Sequence, residues 1–107
     1  MTHVLVIGET NPLVKSKSNY EATVISPESI PSKISGRYST IIIDLKFAGV
    51  AEVEKIRSAN KQIPILSLDQ AGDDSQYESL VQAGSNIYAE TVVELESYMS
   101  ALLPTYR

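Results

Sequence analysis

A chain of 107 residues, 43% of them hydrophobic, can bury the core of one domain without crosslinks or metal, so residues 1–107 read as a single folding unit. It contains no cysteine and one histidine, His3, which excludes disulfide frameworks, thiolate metal sites and any site built on two imidazoles. Thirteen acidic against nine basic residues give a net charge of -4 with the basic residues scattered, an unfavourable balance for nucleic acid or an anionic membrane surface.

No apolar run approaches a membrane span, and the opening MTHVLVIGET has neither the basic segment nor the long apolar stretch of a secretion signal, which points to a cytoplasmic protein. Residues 3–8, HVLVIG, form a short apolar run ending in glycine, the pattern of a strand buried on both faces. Residues 10–21 follow with a turn signal at Asn11-Pro12 and only Leu13 and Val14 as apolar residues before Tyr20, leaving room for at most two helical turns. A second strand is predicted over residues 22–26. Ser26-Pro27-Glu28 then has the form of a helix start that Pro31 soon interrupts, so the second helix is short or irregular and ends by Gly36.

Residues 39–49, STIIIDLKFAG, hold the centre of the fold. Ile41, Ile42 and Ile43 run straight into Asp44, so Asp44 is the polar end of a central buried strand. Two readings of it stand: a functional carboxylate at the carboxyl end of a parallel sheet, or an aspartate binding the amides of the loop it opens. Residues 48–60 carry Val50, Val53 and Ile56 at helical spacing, and residues 61–68 contain a fourth strand, IPILSL, ended by Asp69. Asp73 and Asp74 suit the first turn of a helix that presents Tyr77, Leu80 and Val81 and closes at Ala83 with Gly84 as a left-handed cap. A fifth strand over residues 85–89 and a last helix over 91–103, striped by Val92, Leu95, Met99 and Leu102 and stopped by Pro104, complete the chain. Five strands alternating with helices predict an α/β fold with a parallel sheet covered on both faces, without internal repeat or linker.

This order of five units, with Glu9 after the first strand, IIIDL ending at Asp44, IPILSL before Asp69, and AGSNIYA containing Tyr88, resembles the receiver (CheY-like) domains of two-component response regulators along essentially the whole chain. The resemblance implies the flavodoxin-like strand order 2-1-3-4-5. It also makes Asp44 the counterpart of the phosphoacceptor, Tyr88 that of the aromatic switch, and Asp69 that of the Ser or Thr hydroxyl that reports phosphorylation. The pair of acids that helps hold Mg²⁺ reads Gly8 and Glu9, so one carboxylate is missing. The lysine that pairs with the phosphoryl group reads Thr91, or Glu90 if the register slips by one.

Phosphoryl transfer to a carboxylate depends on neutralising oxygen charge by metal and lysine, so these replacements make Asp44 a poor phosphoacceptor. Glu9, Asp44 and Asp69 are expected to form an acidic pocket that either holds a hard cation such as Mg²⁺, with Glu9 and Asp44 as ligands, or fans out into water. The expected function is therefore a non-enzymatic pseudo-receiver, a signalling module that binds a histidine kinase, another signalling protein or a second copy of itself. Because the first helix is short, the region of Leu13, Val14, Leu95 and Met99 is expected to leave an apolar patch for docking, unless the last helix shifts to cover it. Two alternatives stay open: a receiver phosphorylated on Asp44 by a histidine kinase, and a small-molecule-binding flavodoxin-like domain. The latter lacks a glycine-rich phosphate cradle, and His3 lies at the wrong end of the sheet for chemistry.

Overall fold

The computed structural model describes residues 2–13 and 18–106. Five parallel strands, β1 (Thr2–Ile7), β2 (Tyr20–Ile25), β3 (Thr40–Asp44), β4 (Ile65–Leu68) and β5 (Ile87–Ala89), form one sheet in the order β2-β1-β3-β4-β5. Three helices cover it: α1 (Val50–Ala59), α2 (Tyr77–Ala83) and α3 (Val92–Leu102). This is the parallel α/β sheet expected from the alternation, in the flavodoxin-like order that the resemblance implied. The uninterrupted β-branched runs sit where both faces are dry, and every residue of β3 is buried.

Because side chains alternate across a strand, the sheet divides its apolar residues between two cores. Leu5 and Ile7 of β1 and Ile41 and Ile43 of β3 pack with Val53 and Ile56 of α1 and Leu80 of α2. Val4, Val6, Ile42, Leu66 and Leu68 point the other way and pack with Leu95 and Met99 of α3. Of the residues expected to face inward on α2, only Leu80 does so; Tyr77 and Val81 are about half exposed, at 49% and 51%. Gly84 caps α2 at φ 119°, and the amide of Ser85 closes the turn on the Leu80 carbonyl. Arg57 lies directly beneath, donating from Nε to the Gly84 carbonyl and from Nη2 to Asn86, which anchors α1 to the entrance of β5. A Cβ at position 84 would come within 2.5 Å of Arg57 Cγ.

The segment after β2 confirms the expected short, irregular helix: it is a single 3₁₀ turn, Pro27–Ser29. The connection after β1 has no helix among its described residues. Asn11 Oδ1 accepts the Leu13 amide in a side-chain turn, and Leu13 drops into the core, wholly buried. The expected docking patch is corrected here. Leu13, Leu95 and Met99 are all 0% exposed, and Val14 lies outside the described residues.

What covers this face is the end of the chain. A 3₁₀ turn, Pro104–Tyr106, brings the wholly buried Tyr106 into the same cluster as Leu13, Leu95 and Met99. Its ring meets Tyr20 at 5.7 Å, its carbonyl accepts the Asn19 amide, and Thr105 bonds the buried Thr2 hydroxyl. The Tyr20 hydroxyl in turn donates to the Leu13 carbonyl. A buried aromatic removes roughly 150–250 Å² from water, enough to stand in for much of a helix face. Among the described residues no helix is long and apolar enough to cross a membrane.

Candidate functional site

The carboxyl ends of β1, β3, β4 and β5 gather the residues singled out by the sequence. Asp44 ends β3, only 4% exposed, and its Oδ1 accepts the Lys46 amide at 3.1 Å while its carbonyl accepts the amides of Phe47 and Ala48. It therefore opens the β3–α1 loop as an aspartate turn, the structural reading of this position. The loop folds Phe47 back over Gly8. A Cβ added at Gly8 would meet Asp44 Cβ at 3.2 Å and Phe47 Cδ2 at 3.3 Å, so the space a side chain would take at position 8 is filled by an aromatic edge. The Lys46 ammonium sits 5.5 Å from the centre of the same ring.

Asp69, 5% exposed, begins the loop after β4, with its amide bonded to the Ala89 carbonyl. Its Oδ2 accepts the Tyr88 hydroxyl at 2.5 Å, and the Asp73 carbonyl lies 3.3 Å from that hydroxyl as a further acceptor. Desolvation, reinforced by the bond and negative charge of Asp69, raises the Tyr88 phenol above its ordinary value, so it stays a proton donor at neutral pH. The Tyr88 ring stands edge-on to Tyr77 at 5.4 Å and 88°. Nearby, the Ser75 amide and hydroxyl hold the Asp73 carboxyl below its ordinary range.

The expected acidic pocket does not assemble as a metal cage. Asp44 and Asp69 are buried and committed to partners, whereas Glu9 is exposed beyond the end of β1. Among the described residues no group of three or more His, Cys, Asp or Glu side chains could hold a metal ion. Gly8 stands where the resemblance implies one of two acids, with Phe47 beside it, so the described carboxylates at this end of the sheet that could reach a hard cation are fewer than the resemblance implies. Where the resemblance implies a lysine, Thr91 is the N-cap of α3, accepting the Glu94 amide at 3.1 Å, and Glu90 is exposed. A cleft of about 250 Å³ beside Asp69, lined by Leu45, Lys46, Gln70 and Ala71, presents no glycine-rich cradle for a nucleotide. His3 pairs with Glu21 at 3.0 Å at the opposite end of the sheet.

The sequence singled out Asp44, Asp69 and Tyr88, whose surroundings the structure now shows, but gave no part to Phe47 or Tyr106 and read Tyr77 only as one of the residues its helix presents on one face. Phe47 carried a signal, as the chain's single phenylalanine three residues after Asp44. Tyr77 and Tyr106 carried none, since which ring meets which is settled only by packing.

Comparison with solved structures places this architecture among receiver domains. The chain is similar to the receiver domain of the sensor histidine kinase PA1611 from Pseudomonas aeruginosa PAO1, whose crystal structure has a magnesium ion coordinated in the active site cleft. The TM-score is 0.72 at 21% identity, over 96% of this chain and 98% of that one. It is also similar to the response regulator RPA3017 in red light signaling of R. palustris, with a TM-score of 0.74 at 13% identity over 100% of this chain and 97% of that one. No protein-family model and no curated protein matches the sequence. The fold is that of the receiver domain; the residues at its functional end are this chain's own.

Proposed function

We propose that the domain acts in two-component signalling as a pseudo-receiver, a module that works by binding another protein and not by catalysis or by the usual phosphorylation of Asp44. The observation that carries this reading is the Asp69–Tyr88 bond. A carboxylate stands where phosphoryl signalling needs a hydroxyl, and it already holds the aromatic residue that would otherwise respond. Incoming phosphate at Asp44 would meet the negative charge of Asp69, with Thr91 in place of a neutralising lysine and Phe47 beside Gly8 in place of a metal-binding acid. The partner on this reading is a histidine kinase or another signalling protein, met in the cytoplasm.

Amide-shift titration with Mg²⁺ and then beryllofluoride tests the proposal. The expected result is no change around Asp44, Asp69 and Tyr88 at saturating reagent. Coordinated shifts at those three positions would overturn it in favour of a receiver phosphorylated on Asp44.

A further inference from the structure

The connection from β2 to β3 covers its part of the sheet with a loop in place of a full helix. Pro27 and Pro31 bracket its single 3₁₀ turn, and Ile30, extended at φ -64° and ψ 119° before a proline, leads the chain out of helical geometry. The loop is fixed at both ends and in the middle. The Ser26 and Ser29 hydroxyls bond at 2.9 Å, Ile34 is buried in the cluster of Leu5 and Ile41, and the Ser39 amide donates to the His3 carbonyl at 2.7 Å. A loop is narrower than a helix, whose side chains span about 10 Å, so part of the sheet is left uncovered. The result is a cleft of about 270 Å³, with Leu5 and Ile25 of the sheet on one side and Pro31, Ile34 and Tyr38 of the loop on the other. Lys33 and the hydroxyls of Ser29 and Ser35 complete its lining.

We propose that this cleft binds a small aromatic monocarboxylate. Its charge carries the argument. In a chain of net charge -4 no acid lines it, and Lys33 is its one charged residue. The groove beside Tyr77 is lined instead by Asp74, Glu78 and Glu90, and the cleft at the end of β4 sets Asp69 against Lys46. Among the described residues the side-chain ion pair is His3–Glu21, so the Lys33 ammonium has no carboxylate partner. Arg37 is already engaged: its guanidinium lies 4.9 Å from the centre of the Tyr38 ring and donates to the Tyr38 hydroxyl at 3.1 Å, which steadies that wall. A preformed apolar cleft with a single available cation suits a ligand with an apolar body and one negative charge. Ile25, Ile34 and the Tyr38 ring would meet the body, Lys33 the carboxylate, and the serine hydroxyls its remaining lone pairs. Since a cavity of about 150 Å³ holds a benzene, this volume admits one ring with a short acidic arm. A phosphate ester, with a second charge and more acceptor oxygens, asks for more donors than one lysine supplies. None of these residues belongs to the site of Asp44, Asp69 and Tyr88, so the proposal goes beyond the pseudo-receiver reading and does not depend on it.

Amide-shift titration of the full chain with phenylacetate, its neutral counterpart phenylacetamide and the cationic phenethylamine tests the proposal. Expected with phenylacetate are saturable shifts centred on residues 5, 25, 29–35 and 38. Phenylacetamide should bind about threefold more weakly, as loss of one exposed ion pair implies, and phenethylamine should not saturate. Lys33→Glu, at an exposed position that leaves the core untouched, replaces the attraction by a repulsion of similar size. It should lower phenylacetate affinity about tenfold and leave that of phenylacetamide unchanged. Three results each overturn the proposal. The first is no saturation by phenylacetate. The second is saturation with shifts centred on residues 45–46 and 69–71, which would put the ligand in the other cleft. The third is equal affinity for the three probes, or for phenylacetate in wild type and Lys33→Glu, which would make the cleft an unselective apolar surface.

Discussion

Two pairs of tyrosines lie on opposite faces of the same sheet and are used differently. Tyr20 and Tyr106 meet over β1 and α3, with Tyr106 wholly buried and bound through its backbone to Asn19. Tyr77 and Tyr88 meet at the rim of β5, one half exposed and the other fixed by a single carboxylate. The first pair replaces missing structure: it fills volume that no helix covers among the described residues. The second carries a polar bond: at the carboxyl end of the sheet the Tyr88 hydroxyl donates to the buried Asp69 carboxylate. The difference teaches that a packed core and a polar site make different demands on the chain. A gap in the core is closed by apolar area from anywhere in the chain, whereas a reaction needs particular groups at particular positions.

The comparison breaks most easily at the buried pair. Tyr106→Ala is expected to lower stability by about 3–5 kcal/mol, the range for removing a large aromatic from a core, measured as a fall in the urea midpoint. A loss near zero would mean that Leu13 and α3 are covered without it. Gly84→Ala comes next, because it forces a β-carbon into a left-handed backbone and onto Arg57. A loss of about 2–3 kcal/mol is expected, with α2 and its Tyr77 displaced from Tyr88.

Tyr88→Phe has the smallest effect, about 1–2 kcal/mol, from leaving the buried Asp69 carboxylate without its hydroxyl donor. It also sharpens the comparison through pH. The folded-state pKa of Tyr88 lies above the ordinary phenol value of 10.0, so its stabilisation is complete below about pH 10 and is lost as pH rises towards the higher folded value. Wild type should therefore lose stability relative to Tyr88→Phe in alkaline titration, and parallel curves for the two would show that the Asp69 bond contributes nothing.

Strand identity was legible because parallel buried strands write themselves as apolar runs ended by polar residues, as Ile41 to Asp44 does, whereas the strand order came from the resemblance to receiver domains. Gly84 was legible for a local reason, since a left-handed cap favours glycine wherever it occurs. The α2 face was misjudged at Tyr77 and Val81 because a seven-residue helix at the sheet's margin buries a single row, and apolar spacing alone does not say how wide the covered stripe is. The docking patch at Leu13, Leu95 and Met99 failed for the opposite reason: a short first connection implies a gap, but nothing local says that residue 106 returns to fill it.

By itself the sequence determined the class of fold and the placement of Asp44, Asp69 and Tyr88 in or just after the strands. These follow from residue type and order, which periodicity and turn chemistry carry along the chain. Only the tertiary structure decided that Phe47 lies over Gly8, that Asp69 holds Tyr88, that Tyr77 borders an acidic groove, and that Tyr106 completes the core. Each of these is a contact between segments distant in sequence or a loop folded back on the sheet. Such contacts are fixed by how volumes fit once the elements have packed.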